Sequence, residues 1–232
     1  MSLIRRRLSR EDGFTLPEVM AASVIGVIVL LAAFMLLDRS FKASGQVADR
    51  ADALQRGRQA MELMTRQLRS QVCVGATNAP MVSGGDSTVT FYSDLSDGSV
   101  PIRKRTLTWD PTAQTITEAV VPGAGTYPAL TFTGTAVNAT LLTKAQQVLD
   151  AGTPRPVFQY YGYNPGAAVG TLEPLSTPLS AADLRRVAVI KVSFRSFAER
   201  PVSQDNDSTV LENDVYIRAA DPTSLSGGPR CA

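Results

Sequence analysis

Glu18 is the residue whose chemistry most needs a partner. From Val19 to Leu37 nineteen successive residues carry no formal charge, and in the twenty-four from Phe14 to Leu37 Glu18 is the one ionisable side chain. A carboxylate at the edge of a hydrocarbon-length helix is costly unless it is paired. A buried carboxylate and a buried ammonium each cost on the order of several kcal/mol alone and much less together. Other side chains could also do chemistry. Cys73 and Cys231 are the only cysteines; an even pair in an oxidising compartment favours a disulfide, and two unrelated thiols are the alternative. Asp205, Asp207, Glu212 and Asp214 cluster and offer oxygen ligands to calcium. Their spacing completes no calcium loop, so a solvated hairpin is the stronger reading.

Catalysis finds little support. Histidine is absent, which removes the commonest general base and excludes Ser-His-Asp and Cys-His arrangements. Two cysteines without histidine serve a structural zinc poorly. Val82-Ser83-Gly84-Gly85-Asp86 reads as a turn rather than a phosphate loop. Arg103, Lys104 and Arg105 beside Trp109 suit an exposed strand with one core-edge tryptophan better than a nucleic-acid surface. Phe158, Tyr160, Tyr161 and Tyr163 read as sheet packing. No enzyme and no cofactor is implied.

The apolar run positions Glu18. At ~1.5 Å per residue, Phe14 to Leu37 can cross a ~30 Å hydrocarbon core. Arg5, Arg6, Arg7 and Arg10 precede it, so the positive-inside rule keeps the N-terminus cytoplasmic and carries the larger C-terminal part across. An ordinary secretory signal fits poorly, because the run is too long and no convincing Ala-x-Ala site follows Leu37. With Glu11 and Asp12, these arginines account for the whole formal charge of +2. The remainder is formally neutral, which argues against a nucleic-acid partner.

Residues 44–72 hold an amphipathic pattern. Val47, Ala51, Leu54, Met61, Leu68 and Val72 form one stripe, with Arg58 and Thr65 in its seam. Asp49, Arg50, Asp52, Arg56, Gln59, Glu62 and Arg69 lie opposite. That predicts a helix packing one face on a domain. From about Gly75 strands are expected at Ser87–Tyr92, Ile102–Trp109, Thr115–Val121, Ala129–Thr133, Val157–Tyr163, Val187–Phe197 and Thr209–Arg218, between turn signals such as Asp97-Gly98 and Asp110-Pro111. Ala188, Ile190, Val192 and Phe194 give one apolar face of a half-buried antiparallel strand. Thr140–Ala151 reads as a short helix and Gly166–Pro178 as a loop. The fold class is therefore α+β, a long N-terminal helix packed on a mostly antiparallel β head.

Gly13-Phe14-Thr15-Leu16-Pro17-Glu18 and the apolar helix behind it resemble the class III signal of type IV pilins and pseudopilins. The resemblance implies that a prepilin peptidase cuts after Gly13 and methylates the new amine of Phe14. It makes Glu18 the fifth residue of the mature chain, where it pairs with the terminal amine of a neighbouring subunit. Pro17 departs from the family's usual Leu or Ile, and is tolerable because amides in the first turn of a helix lack intrahelical partners. Ala53–Arg69 and the closing Val215-Tyr216-Ile217-Arg218-Ala219 resemble minor pilins of the PilW type and the J-type pseudopilin of type II secretion. A disulfide near the C-terminus is common in pilins, but one from Cys73 to Cys231 spans far more chain than the familiar short loop.

The implied organisation is a cytoplasmic leader at 1–13, a membrane and filament-core helix at 14–37, its amphipathic continuation at 38–73 and an extracytoplasmic head at 74–232. The implied function is a minor pilin or pseudopilin that initiates or caps a pilus or secretion filament. Its partners would be the prepilin peptidase, other pilin subunits, an inner-membrane assembly platform and, before assembly, the lipid bilayer. The alternatives are an adhesive or DNA-uptake minor pilin, and a membrane-anchored extracytoplasmic binding domain that never polymerises.

Overall fold

The computed structural model describes residues 13–75, 79–94, 102–164, 166–201, 208–223, 229 and 231. One helix, α1 (Leu16–Arg69), runs through two compact units, Met1–Val47 and Ala48–Ala232. In the first unit the apolar side chains of α1 are exposed all round: Val19, Ile25, Leu31 and Leu37 each leave more than half of their surface uncovered. Lys42 Nζ lies 2.9 Å from Asp38 one turn back, so the first charge after the apolar run is paired.

In the second unit the described residues build two five-stranded antiparallel sheets and a separate two-stranded one. The first is a meander of β1 (Met81–Gly84), β2 (Thr88–Ser93), β3 (Arg103–Asp110), β4 (Thr115–Pro122) and β5 (Val137–Thr143). Gly85 N–H donates to Thr88 O at 2.8 Å and closes the turn between β1 and β2, as the Gly-Gly-Asp signal predicts. Asp110 Oδ1 accepts from the Thr112 and Ala113 amides at 2.7 and 3.0 Å and closes the next hairpin but one. Along β3, Arg105, Leu107 and Trp109 alternate inward.

The second sheet begins with β6 (Ala145–Gln146). A small hairpin of β7 (Leu149–Asp150) and β8 (Thr153–Pro154) follows. Next come β9 (Phe158–Tyr163), β10 (Leu172–Leu175), a short helix α2 (Ala181–Arg186), β11 (Val187–Phe197) and β12 (Ser208–Tyr216). Its order is β10-β9-β11-β12, with β6 also on β11. Ile190, Val192 and Phe194 are fully buried, as their alternation predicts, but Val189 and Ser193 on the opposite face are buried too, so the strand is covered on both sides rather than half-buried. Ile190, Val192 and Phe194 share a core with Met64 and Leu68 of α1, with Val89, Phe91 and Leu107 of the first sheet, and with Phe158 and Tyr160. The Tyr160 hydroxyl donates to Gly85 O at 3.0 Å, and burial raises its pKa far above the ordinary phenol value.

Three local expectations are corrected. Ala129–Thr133 forms no strand; Thr131 only bridges Ala124, and Val137–Thr143 joins β4 instead. Thr140–Ala151 is not helical. Pairing of Leu142 with Ile116 and of Ala145 with Ser196 outweighs local helix preference, and Lys144 between them takes φ 56°, which ends any helix. Gly166–Pro178 contains β10, recruited by Tyr160–Tyr163. Met81–Gly84 and Ala181–Arg186 are elements the sequence pattern did not reveal. Asp97-Gly98, the leader up to Asp12, Asp205 and Asp207 lie outside the described residues.

The buried stripe of α1 is also rotated from the expected one. Ala53, Gly57, Ala60, Met64 and Leu68 are buried, whereas Val47 is 70% exposed and Arg58 faces out. Small residues decide it. A Cβ on Gly57 would stand 2.4 Å from Leu211 Cδ1 and 3.0 Å from Ser196 Cβ, so any side chain there would displace Leu211 and crowd Ser196 where helix and sheet meet. Met61, Thr65 and Leu68 belong to the buried side as expected, and Thr65 Oγ1 accepts from Asn213 Nδ2 at 2.9 Å.

Candidate functional site

The helix begins just after the Gly13-Phe14 pair. Gly13, Phe14 and Thr15 are non-helical and exposed. The Thr15 carbonyl accepts from Glu18 N at 3.0 Å and from Val19 N at 3.2 Å, which makes Thr15 the capping position and Leu16 the first helical residue. Pro17 therefore falls in the first turn, where its missing N–H costs nothing and its fixed φ suits the helix. Glu18 is the one acidic residue of that turn. Its charge is favourably placed against the positive end of the helix dipole. Its carboxylate makes no hydrogen bond or ion pair with any described residue.

Around it lies uncovered hydrocarbon. Phe14 is 82% exposed, and the apolar stretch that follows has no buried residue across its most apolar eighteen positions. By length and composition α1 can cross a membrane. Soluble monomers do not leave a patch of this size in water. An exposed N-terminal Gly-Phe step, a first-turn carboxylate and an apolar helix thus occur in immediate succession.

Residues 8–34 match the family model described as the prokaryotic N-terminal methylation motif. This chain carries a type IV pilin-like class III signal. No curated protein matches the chain. The class III signal and the apolar helix together support membrane anchoring, and the family of the motif is one of structural rather than enzymatic proteins. The pilin-like layout, a long N-terminal helix packed on antiparallel sheets, accompanies the signal.

The other candidate residues have ordinary structural surroundings. Cys73 and Cys231 form a disulfide with their Cα atoms 5.5 Å apart. Glu212 lies 2.9 Å from Lys191 Nζ and 2.6 Å from Arg155 Nη2, and Asp214 lies 3.8 Å from Lys191 Nζ. Both carboxylates thus face cations. Among the described residues no group of three or more Asp, Glu, Cys or His side chains converges as a metal site. Contrary to the exposed strand expected at Arg103–Arg105, Arg105 is buried and bonded to Glu118, with its Nε donating to Ser93 Oγ at 2.7 Å. Trp109 is buried, and its Nε1 donates to Ala145 O at 3.1 Å. Gly57 is a structural determinant that the sequence pattern understates, since a glycine in a helix usually reads only as a weak point.

Proposed function

We propose that the chain is a minor pilin or pseudopilin, a structural and non-catalytic subunit that initiates or caps a type IV pilus or a secretion-type filament. Residues 1–13 are its cytoplasmic leader, removed after Gly13 by a prepilin peptidase that methylates Phe14. Residues 14–37 lie in the inner membrane first and in the filament core later. Residues 38–73, helical as far as Arg69, lead to an extracytoplasmic head at 74–232. Its partners are the peptidase, other pilin subunits and the assembly platform.

One observation carries the reading: the Glu18 carboxylate, unpaired among the described residues, heads an exposed apolar helix immediately behind the Gly13-Phe14 step. In a filament the amine of a neighbour's Phe14 supplies the missing positive charge, while neighbouring apolar helices cover the rest. The substitution Glu18→Ala tests this. It removes the charge without hindering membrane insertion, so the variant should be processed and membrane-bound yet fail to co-purify with filament subunits. Undiminished co-purification would remove Glu18 from assembly and favour a plain membrane anchor.

A further inference from the structure

Four arginines line one groove of the second unit. Arg58, Arg66 and Arg69 come from the last turns of α1 and Arg218 from just beyond β12, around an open volume of about 760 Å³. All four side chains are exposed, and none makes a hydrogen bond or ion pair with a described residue. Four other arginines of this unit, Arg56, Arg105, Arg155 and Arg186, each bind a carboxylate. The groove has apolar surface as well, from Met61 and Leu211.

Spacing and charge define what fits. Arg58 to Arg69 spans eleven residues of helix, about 16 Å at the standard rise. An extended peptide covers that length with about five residues. Asp94 also lines the groove, and so does Glu62, one turn from Arg58 and one turn from Arg66. A continuous polyanion, with a phosphate every ~3.4 Å per strand, would run its charge against that carboxylate. A peptide whose carboxylates flank an apolar residue avoids it and sets that residue near Met61 and Leu211. Guanidinium groups suit carboxylates through paired N–H donors.

We propose that this groove docks a short, extended acidic segment of another protein, with carboxylates on either side of one apolar side chain. The proposal stands on the groove alone and does not require that the chain polymerise.

The test uses the full chain in non-ionic detergent and the peptide Asp-Glu-Leu-Glu-Asp-amide, labelled with fluorescein through an N-terminal β-alanine and read by fluorescence anisotropy. Saturable binding is expected, weakened by at least about tenfold in Arg66→Glu/Arg69→Glu. The amide peptide Asn-Gln-Leu-Gln-Asn should not bind, and a single-stranded oligodeoxynucleotide should compete poorly. Circular dichroism and the intact Cys73–Cys231 link report that the variant is folded. Should the double charge reversal disturb the fold, Arg58→Ser/Arg218→Ser provides the same comparison. Absence of saturable binding up to millimolar peptide would overturn the proposal. So would binding indifferent to the arginines, or an oligonucleotide that binds more tightly than the peptide through the same side chains.

Discussion

Cys73, four residues beyond the last residue of α1, is bonded to Cys231 across a sequence separation of 158 residues. The bond ties the C-terminal end of the chain to the end of the helix that carries the core residues Met64 and Leu68. Closing so long a loop restricts the unfolded chain, and native disulfides of this kind contribute about 2–4 kcal/mol. Cys231→Ser should therefore lower stability to urea by that order while leaving the far-ultraviolet dichroism unchanged at neutral pH. A variant as stable as the parent would show that the bond constrains nothing the fold depends on.

The buried pair Arg105–Glu118 has a sharper signature. Both side chains are more than nine-tenths buried, and they belong to adjacent strands on the face that also carries Leu107. Removing one partner leaves an uncompensated buried charge, costing about 3–5 kcal/mol; removing both leaves an apolar pair of similar bulk. Arg105→Met should be strongly destabilising, and Arg105→Met/Glu118→Leu should recover most of the loss. Equal destabilisation by the single and double variants would mean that packing, not charge, governs the site.

How legible this molecule was depended on the range of the interactions. Glu18 and its apolar run could be read directly, because a membrane-length pattern and a first-turn carboxylate are local facts. Strand β11 was found with its full boundaries, since Ile190, Val192 and Phe194 alternate cleanly. Strand β5 was not, because its first four residues are exposed and only pairing with β4 makes them a strand. The rotation of the α1 stripe was hidden for a related reason. Hydrophobicity pointed to Val47 and Leu54, but close approach of the sheet selects Ala53, Gly57 and Ala60, whose advantage is small size. The arginine groove was equally invisible, since Arg218 reaches it from the other end of the sequence.

Acid should weaken the head in a predictable direction. The hydrogen bond from Lys191, with Arg155 on the other oxygen, holds the Glu212 carboxyl below the usual carboxylate range. The Thr143 hydroxyl, with Arg56, does the same for Glu199, and Ser180, with Arg186, for Asp183. A depressed folded pKa means stability that is fully present above the unfolded value, about 4.3 for Glu, and lost as pH falls through the folded value. Lys191 is raised in turn, chiefly by its bond to Glu212, so its share persists below about pH 10.4 and disappears as pH rises through the folded value. Asp214 and Asp150 also face these cations and moderate the effect. Glu212→Gln should flatten the loss of urea stability below pH 4.3 and cost no more than about 1 kcal/mol near neutrality, as a partly exposed pair does. An acid limb as steep as the parent's would assign the titration to other carboxylates.

The central claim is that the chain is processed at Gly13 and enters its filament through the new N-terminus. Mass spectrometry of the N-terminal peptide, on protein isolated from its native membrane, tests this most directly. The account predicts a chain that begins at N-methylated Phe14. A chain that still begins at Met1 or Ser2, in cells with an active prepilin peptidase, would contradict it and leave α1 as a simple membrane anchor.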